Sequence, residues 1–315
     1  MLVGPTALSL RELAGATGTD WLILRELRAP RALLAAAVGA VLATSGAVLQ
    51  GLFRNPLADP SLIGVSAGAS VGASASILLG GYLAPSLGAW LSTSALSGLS
   101  VITLGAFAGG MAAVGLVYRL STRATTGTSV TTMLLVGIAI SALAGALNNG
   151  MALLADNQML RRMSLWQMGN LDLANWQRVQ LCLAVGAAVA LLLRGQAAGL
   201  NALLLGESEA RHLGVDVERL KRRLILLTAL GVGVATALVG TIAFIGLIVP
   251  HLVRLLAGPC HRSLLPASAL LGAILLGLAD LLARLLLAPT ELPVGLLTAF
   301  LGAPFFLYLL RRRHA

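Results

Sequence analysis

The chain has 315 residues, of which 57% are hydrophobic and 11% charged, with a mean hydropathy of +0.90. A soluble domain carries about 25% charged residues, so there is too little polar surface for a soluble globular protein. The net charge of +10 sits at the ends of apolar runs with no interleaved aromatics, which points to membrane topology and excludes a nucleic-acid partner.

A run of about 20 apolar residues covers the hydrocarbon core of a bilayer. In chain order such runs fall at Leu33–Phe53, Leu62–Gly81, Leu99–Val117, Met133–Leu154 and Val179–Leu193, then at Leu224–Val239, Ile242–Ala257, Leu264–Leu287 and Val294–Leu310. The expected fold is therefore all-α, a polytopic transmembrane helix bundle of about nine spans. Ile242–Ala257 is the weakest of them, being short and interrupted by Pro250, His251 and Arg254. Ala84–Ser97 has intermediate hydrophobicity and is expected at the outer surface. No linker separates domains, so residues 1–315 read as one, with 195–223 as its substantial cytoplasmic loop. Cys182 and Cys260 lie in or beside apolar segments and read as small apolar filler.

Charge bias sets orientation. Arg311, Arg312 and Arg313 place the C-terminus inside, and counting back puts Arg194, Arg211, Arg219, Lys221, Arg222 and Arg223 inside as well. The assignment leaves 14 of the 22 basic residues inside and 8 outside. It also leaves Met1 to about Ala29 outside with no signal peptide ahead of it, from which a further first helix is expected to be missing.

Within the loop, Glu207-Ser208-Glu209-Ala210-Arg211-His212 reads as a short helix closed by Gly214. A second turn follows around Val215–Arg219, and acids precede bases as the helix dipole favours. Two readings stand: a charged knob for a partner's cleft, or a solvated loop with well-placed caps. Arg54-Asn55-Pro56-Leu57-Ala58-Asp59-Pro60 is a proline-forced turn whose Asn and Asp cap neighbouring helix ends. Arg28, Arg31 and Arg284 run against the charge bias. They are either snorkelling anchors, with Asp280 as a helical partner of Arg284, or a surface for acidic groups of a soluble protein.

No phosphate loop and no Ser/His/Asp constellation is present in the sequence, and His212, His251, His261 and His314 are dispersed. No catalytic residue, metal site or cofactor is expected. Of the 12 acids only Asp280 lies well inside a span, whereas ion-coupled transporters bury acids on their pathway. Thr44, Ser45, Gln50, Ser66, Ser70, Ser74 and Asn148 either line a pathway or hydrogen-bond helices together.

Several stretches resemble the FecCD-like permease subunits of type II ABC importers, which carry ferric siderophores, heme and vitamin B12. They are Arg28-Ala-Pro-Arg31, Ser45-Gly-Ala-Val-Leu-Gln50, Arg54–Pro60 running into Leu62-Ile-Gly-Val-Ser-Ala-Gly-Ala69, Trp166-Gln-Met-Gly-Asn170, and Leu213-Gly-Val-Asp216. Phe244-Ile-Gly-Leu-Ile-Val-Pro-His-Leu-Val-Arg254 is the most specific, and Glu291-Leu-Pro-Val-Gly295 and Leu301-Gly-Ala-Pro304 complete the set. The resemblance covers roughly Arg25 to Arg312 and implies ten helices in the family, with this chain starting after the first.

It further implies a homodimer in the inner (cytoplasmic) membrane, two ATP-binding subunits below and a substrate-binding protein above. By the resemblance, Arg28, Arg31 and Arg284 dock the binding protein, and Glu207, Glu209, Arg211, His212, Gly214 and Asp216 couple to the ATPase. Asn55, Leu57 and Thr131 correspond to a cytoplasmic gate. The stretch Asp156-Asn-Gln-Met-Leu-Arg161 looks more like heme and vitamin B12 permeases than siderophore permeases, and heme is the expected cargo. The rival classes are a secondary transporter or channel, and a membrane-embedded enzyme.

Overall fold

The computed structural model describes residues 19–80, 99–123, 127–288 and 290–313, so the stretch Ala84–Ser97 lies outside the described residues. In chain order the helices are α1 (Ala29–Leu52), α2 (Val65–Leu78), α3 (Val101–Ser121), α4 (Val130–Leu154), α5 (Asn157–Gln167), α6 (Trp176–Arg194), α7 (Ala197–Leu205), α8 (Glu207–His212), α9 (Val217–Val239), α10 (Ile245–Ala257), α11 (His261–Leu286) and α12 (Val294–Arg313). A π-helical turn, Ile23–Arg28, runs into α1, and a small antiparallel hairpin, β1 (Thr122–Arg123) with β2 (Gly127–Thr128), joins α3 to α4.

Each apolar run read from the sequence contains a helix. Polar caps set several starts: the side chains of Ser100, Ser129, Asp156, Asn175 and Asp216 each accept a backbone N–H of the first turn they precede. Six of the spans are long and apolar enough to cross a membrane. α2 and α10, with 14 and 13 residues, reach about 20 Å at 1.5 Å per residue. Each is completed by irregular chain, the 3-10 turn Pro60–Ile63 before α2 and residues 240–244 before α10. That backbone is tolerated at such depth because neighbouring chain packs closely on it: a Cβ added at Gly240 would run into Trp166 O, and Leu62 O lies against Gly137 of α4.

Three readings need correction. The loop from 195 to 223 contains a largely apolar helix, α7, beside α8. The expected turn around Val215–Arg219 is instead the start of α9, which Asp216 caps well ahead of the apolar run. Cys260 is exposed and accepts a hydrogen bond from Asn201 at 3.6 Å, so only Cys182 is apolar filler.

α1 and α9 are central, with 72% and 67% of their spanning windows buried, whereas α4 has 17%. Gly68 and Gly72 of α2 meet Gly109 and Gly105 of α3, and Gly39 of α1 meets Gly272 of α11, so closely that an added Cβ would run into the facing backbone. Helices in lipid gain by such close approach, since burial of apolar area drives nothing there. Three of the polar residues bond helices together: Gln50 Nε2 donates to Leu247 O at 3.0 Å, and Asn148 Nδ2 to Ser70 Oγ at 2.8 Å.

Candidate functional site

The residues singled out gather at the two ends of the bundle. At the end predicted to be outer, the start of α1, the end of α11 and the chain before α6 and α12 converge. Arg31 Nε donates to Asp280 Oδ1 at 2.9 Å, and its Nη1 lies 2.6 Å from Glu291 Oε2 and 3.2 Å from Asp172 Oδ1. Arg284 Nε lies 3.2 Å from Asp280 Oδ2, the helical pair expected from the i,i+4 spacing. Asp280 is 1% exposed, and two guanidiniums offset its desolvation.

These groups border an open pocket of about 550 Å³ lined by Arg28, Arg31, Asp172, Arg284, Glu291 and apolar neighbours. Arg28 is buried, and the side chains of Arg31 and Arg284 are 13% and 12% exposed. The three arginines therefore share one site, recessed rather than projecting. Sequence reading did not find Asp172 and Glu291, because loop residues distant in sequence carry no periodic signal; Glu291 lies 260 positions from Arg31.

At the opposite end α8 stands out of the bundle on Ala210, which is fully buried. Glu209, Arg211, His212, Gly214 and Asp216 line its outward side, with the apolar Leu213 among them. Gly214 adopts φ +84, the left-handed stop expected from its position, and its N–H bonds Arg211 O at 2.9 Å. Asp216 accepts Arg219 N at 3.0 Å and pairs with the Arg219 side chain at 2.9 Å. Glu207 differs from the rest: its carboxylate turns inward to Lys221 Nζ at 2.8 Å, with Arg211 at 3.7 Å.

The gate candidates lie at this same end. Asn55 Oδ1 accepts Leu57 N at 3.0 Å, closing an Asx turn rather than capping a helix, whereas Asp59 caps the 3-10 turn through Ser61 N at 2.9 Å. Burial pushes the Asp59 carboxyl above its ordinary pKa, against that hydrogen bond. Thr131 is exposed in the first turn of α4. Gly137, further along α4, packs against Leu62 O, so α4 meets the 3-10 turn that follows the proline turn.

Residues 1–312 match the FecCD transport family. The chain is 44% identical over 313 residues to the hemin transport system permease protein HmuU of Yersinia pestis, covering 99% of this chain and 90% of that one. It is also 44% identical over 303 residues to the cobalamin import system permease protein BtuC of Halobacterium salinarum, covering 95% and 76%. Among solved structures, an inward-facing conformation of a putative metal-chelate type ABC transporter superposes with a TM-score of 0.84 at 32% identity, covering 99% of this chain and 93% of that one.

Proposed function

From the premise that the chain belongs to the FecCD transport family, the membrane permeases of ABC importers, we propose that two copies of it form the path by which heme enters the cell. As in such importers generally, the permease hydrolyses no ATP; a separate ATPase and a binding protein serve it. The observation that carries the choice of cargo is the 44% identity to the hemin permease over 99% of this chain.

The geometry supports a partner-driven conduit over a secondary transporter. Among the described residues, Asp280 is the carboxylate set deep within a spanning helix, and both of its oxygens are paired. A proton- or ion-coupled carrier needs an intramembrane acid that exchanges its partner, and this one is committed to structure. Charged, exposed α8 suits an ATPase cleft at the inner end, with Glu209, Arg211, His212, Gly214 and Asp216 as contacts and Glu207 as its anchor. The recessed pocket of Arg28, Arg31 and Arg284 suits an acidic side chain of the binding protein at the outer end. Asn55, Leu57 and Thr131, at the inner end, would serve as the gate. The exposed apolar flank of α4, including Leu135, Ile138 and Leu143, is available to a second copy or to lipid.

Vitamin B12 is the second reading, because the halobacterial cobalamin permease is equally identical. Uptake of heme, cobalamin and a ferric siderophore into proteoliposomes, with ATPase and binding protein present, separates these cargoes. Heme accumulation requiring both ATP and binding protein is expected. Accumulation of cobalamin alone would replace the cargo, and uptake without ATP would overturn the importer role.

A further inference from the structure

The chain carries 22 basic residues, and Lys221 is its one lysine. Charge bias alone treats Lys221 as one of a cytoplasmic cluster, yet it is 2% exposed. It lies near the start of α9. Its Nζ donates to Glu207 Oε2 at 2.8 Å, to Thr128 O at 2.8 Å and to Glu218 Oε1 at 3.2 Å. An ammonium has three donors on one atom, and three acceptors from α8, β2 and α9 use them all. A guanidinium spreads its donors over three coplanar nitrogens, none of which carries three.

The hairpin is held a second time. Glu218 Oε2 accepts Thr128 N at 2.8 Å. Gly127 has φ +74, and a Cβ there would stand 2.6 Å from the Glu218 carboxyl carbon, so β2 has no slack against α9. Thr128 leads directly into Ser129, which caps α4 and donates its N–H to Ser121 O of α3 at 3.0 Å. Thr131 follows within the first turn of α4.

Resting on the reading of α8 as the ATPase contact, we propose that Lys221 is a positioning residue that transmits displacement of α8 through the hairpin to the start of α4, and so to the inner gate. The physical basis is that a buried charge resists separation from its partners. When α8 is pushed, Lys221 either carries β2 with it or gives up Glu207, two discrete arrangements rather than a graded one. Glu207 is then the receiving end of the link, which accounts for its turning inward while the rest of α8 faces out.

The test uses the assembled complex with its ATPase, in a background where Cys182 and Cys260 are serine and Thr131 is cysteine. The maleimide modification rate at position 131 is compared with and without ATP, alongside ATP hydrolysis. The parent is expected to show an ATP-dependent change in rate. Lys221→Met should reduce that change by about tenfold, a size typical of residues along a coupling route, while hydrolysis continues. Lys221→Arg, with the charge restored but not the three-way geometry, should recover part of it. A full response in Lys221→Met overturns the proposal, as does a parent with no ATP-dependent change.

Should Lys221→Met fail to assemble, Glu218→Gln decides instead, since it leaves Glu207 and Lys221 in place and weakens both the hold on β2 and one of the three bonds of Lys221. An undiminished response in that variant rejects the link. The underlying reading of α8 fails separately, if Glu209→Lys with Asp216→Lys leaves ATPase binding and its coupling unchanged.

Discussion

Asp280 shows why a charged residue persists in the spanning part of this protein. Its carboxylate is enclosed and shared by Arg31 and Arg284, and removing it leaves two recessed cations facing each other. Breaking a buried pair from one side costs about 3–5 kcal/mol, so Asp280→Asn should markedly lower the thermal unfolding temperature in detergent. Arg284→Met should cost less, because Arg31 still pairs with Asp280 through two nitrogens. Equal losses would show that Arg31 does not hold Asp280 on its own. Gln50 is the opposite case. Its Nε2 bonds Leu247 O, but its buried Oε1 has no partner among the described residues. Gln50→Leu gives up one hydrogen bond and relieves one unmet acceptor, so its stability should stay within about 1 kcal/mol of the parent.

Among the elements, the α2–α3 pair depends most on the absence of side chains. Gly72 and Gly105 face one another so that each would place a Cβ against the other's carbonyl. Gly72→Ala should force the helices apart, at about 1–3 kcal/mol as for other overpacked sites. Gly115, on the same helix as Gly105, has open space where a Cβ would stand; there an alanine should be neutral or slightly stabilising, given its higher helix propensity. Thermal stability of the two variants, compared by fluorescence-detected gel filtration, checks this ordering, and equal behaviour would refute the close-packing account. Serine is well placed at the starts of α3 and α4, where side-chain caps and not apolar content fix the first turn.

For the molecule as a whole, orientation is the property that every assignment of partner depends on. The exposed thiol of Cys260 lies between α10 and α11, and hydrogen bonds from Arg262 N and the Asn201 side chain hold its pKa below the ordinary thiol value. Cys182 is buried in α6. A membrane-impermeant maleimide should therefore label the unmodified chain at Cys260 alone, in inside-out vesicles and not in right-side-out ones. Labelling from the outside would invert the topology and exchange the proposed faces. If the arginine pocket receives acidic groups, binding-protein affinity should also fall as salt shortens the Debye length from about 10 Å at 0.1 M to about 3 Å at 1 M; a salt-independent affinity would remove that role from Arg28, Arg31 and Arg284.

The membrane class and the helices at the apolar runs were legible in the sequence because lipid imposes one strong rule: a spanning segment must be apolar and must bond its own backbone. The Asp280–Arg284 pair and the Gly214 stop were legible too, since both depend on spacing within one or two turns. α5 escaped notice because an 11-residue amphipathic helix has no long apolar run. The shortness of α2 and α10 was not legible either, as neighbouring chain completes their crossings. Only the tertiary structure decided which charges meet. Arg31 finds Asp172 and Glu291 through the convergence of separate loops, and Lys221 finds Thr128 because α9 packs beside a hairpin 93 residues earlier. Hydropathy is a local property summed along the chain, whereas these ion pairs depend on which helix ends the bundle brings together.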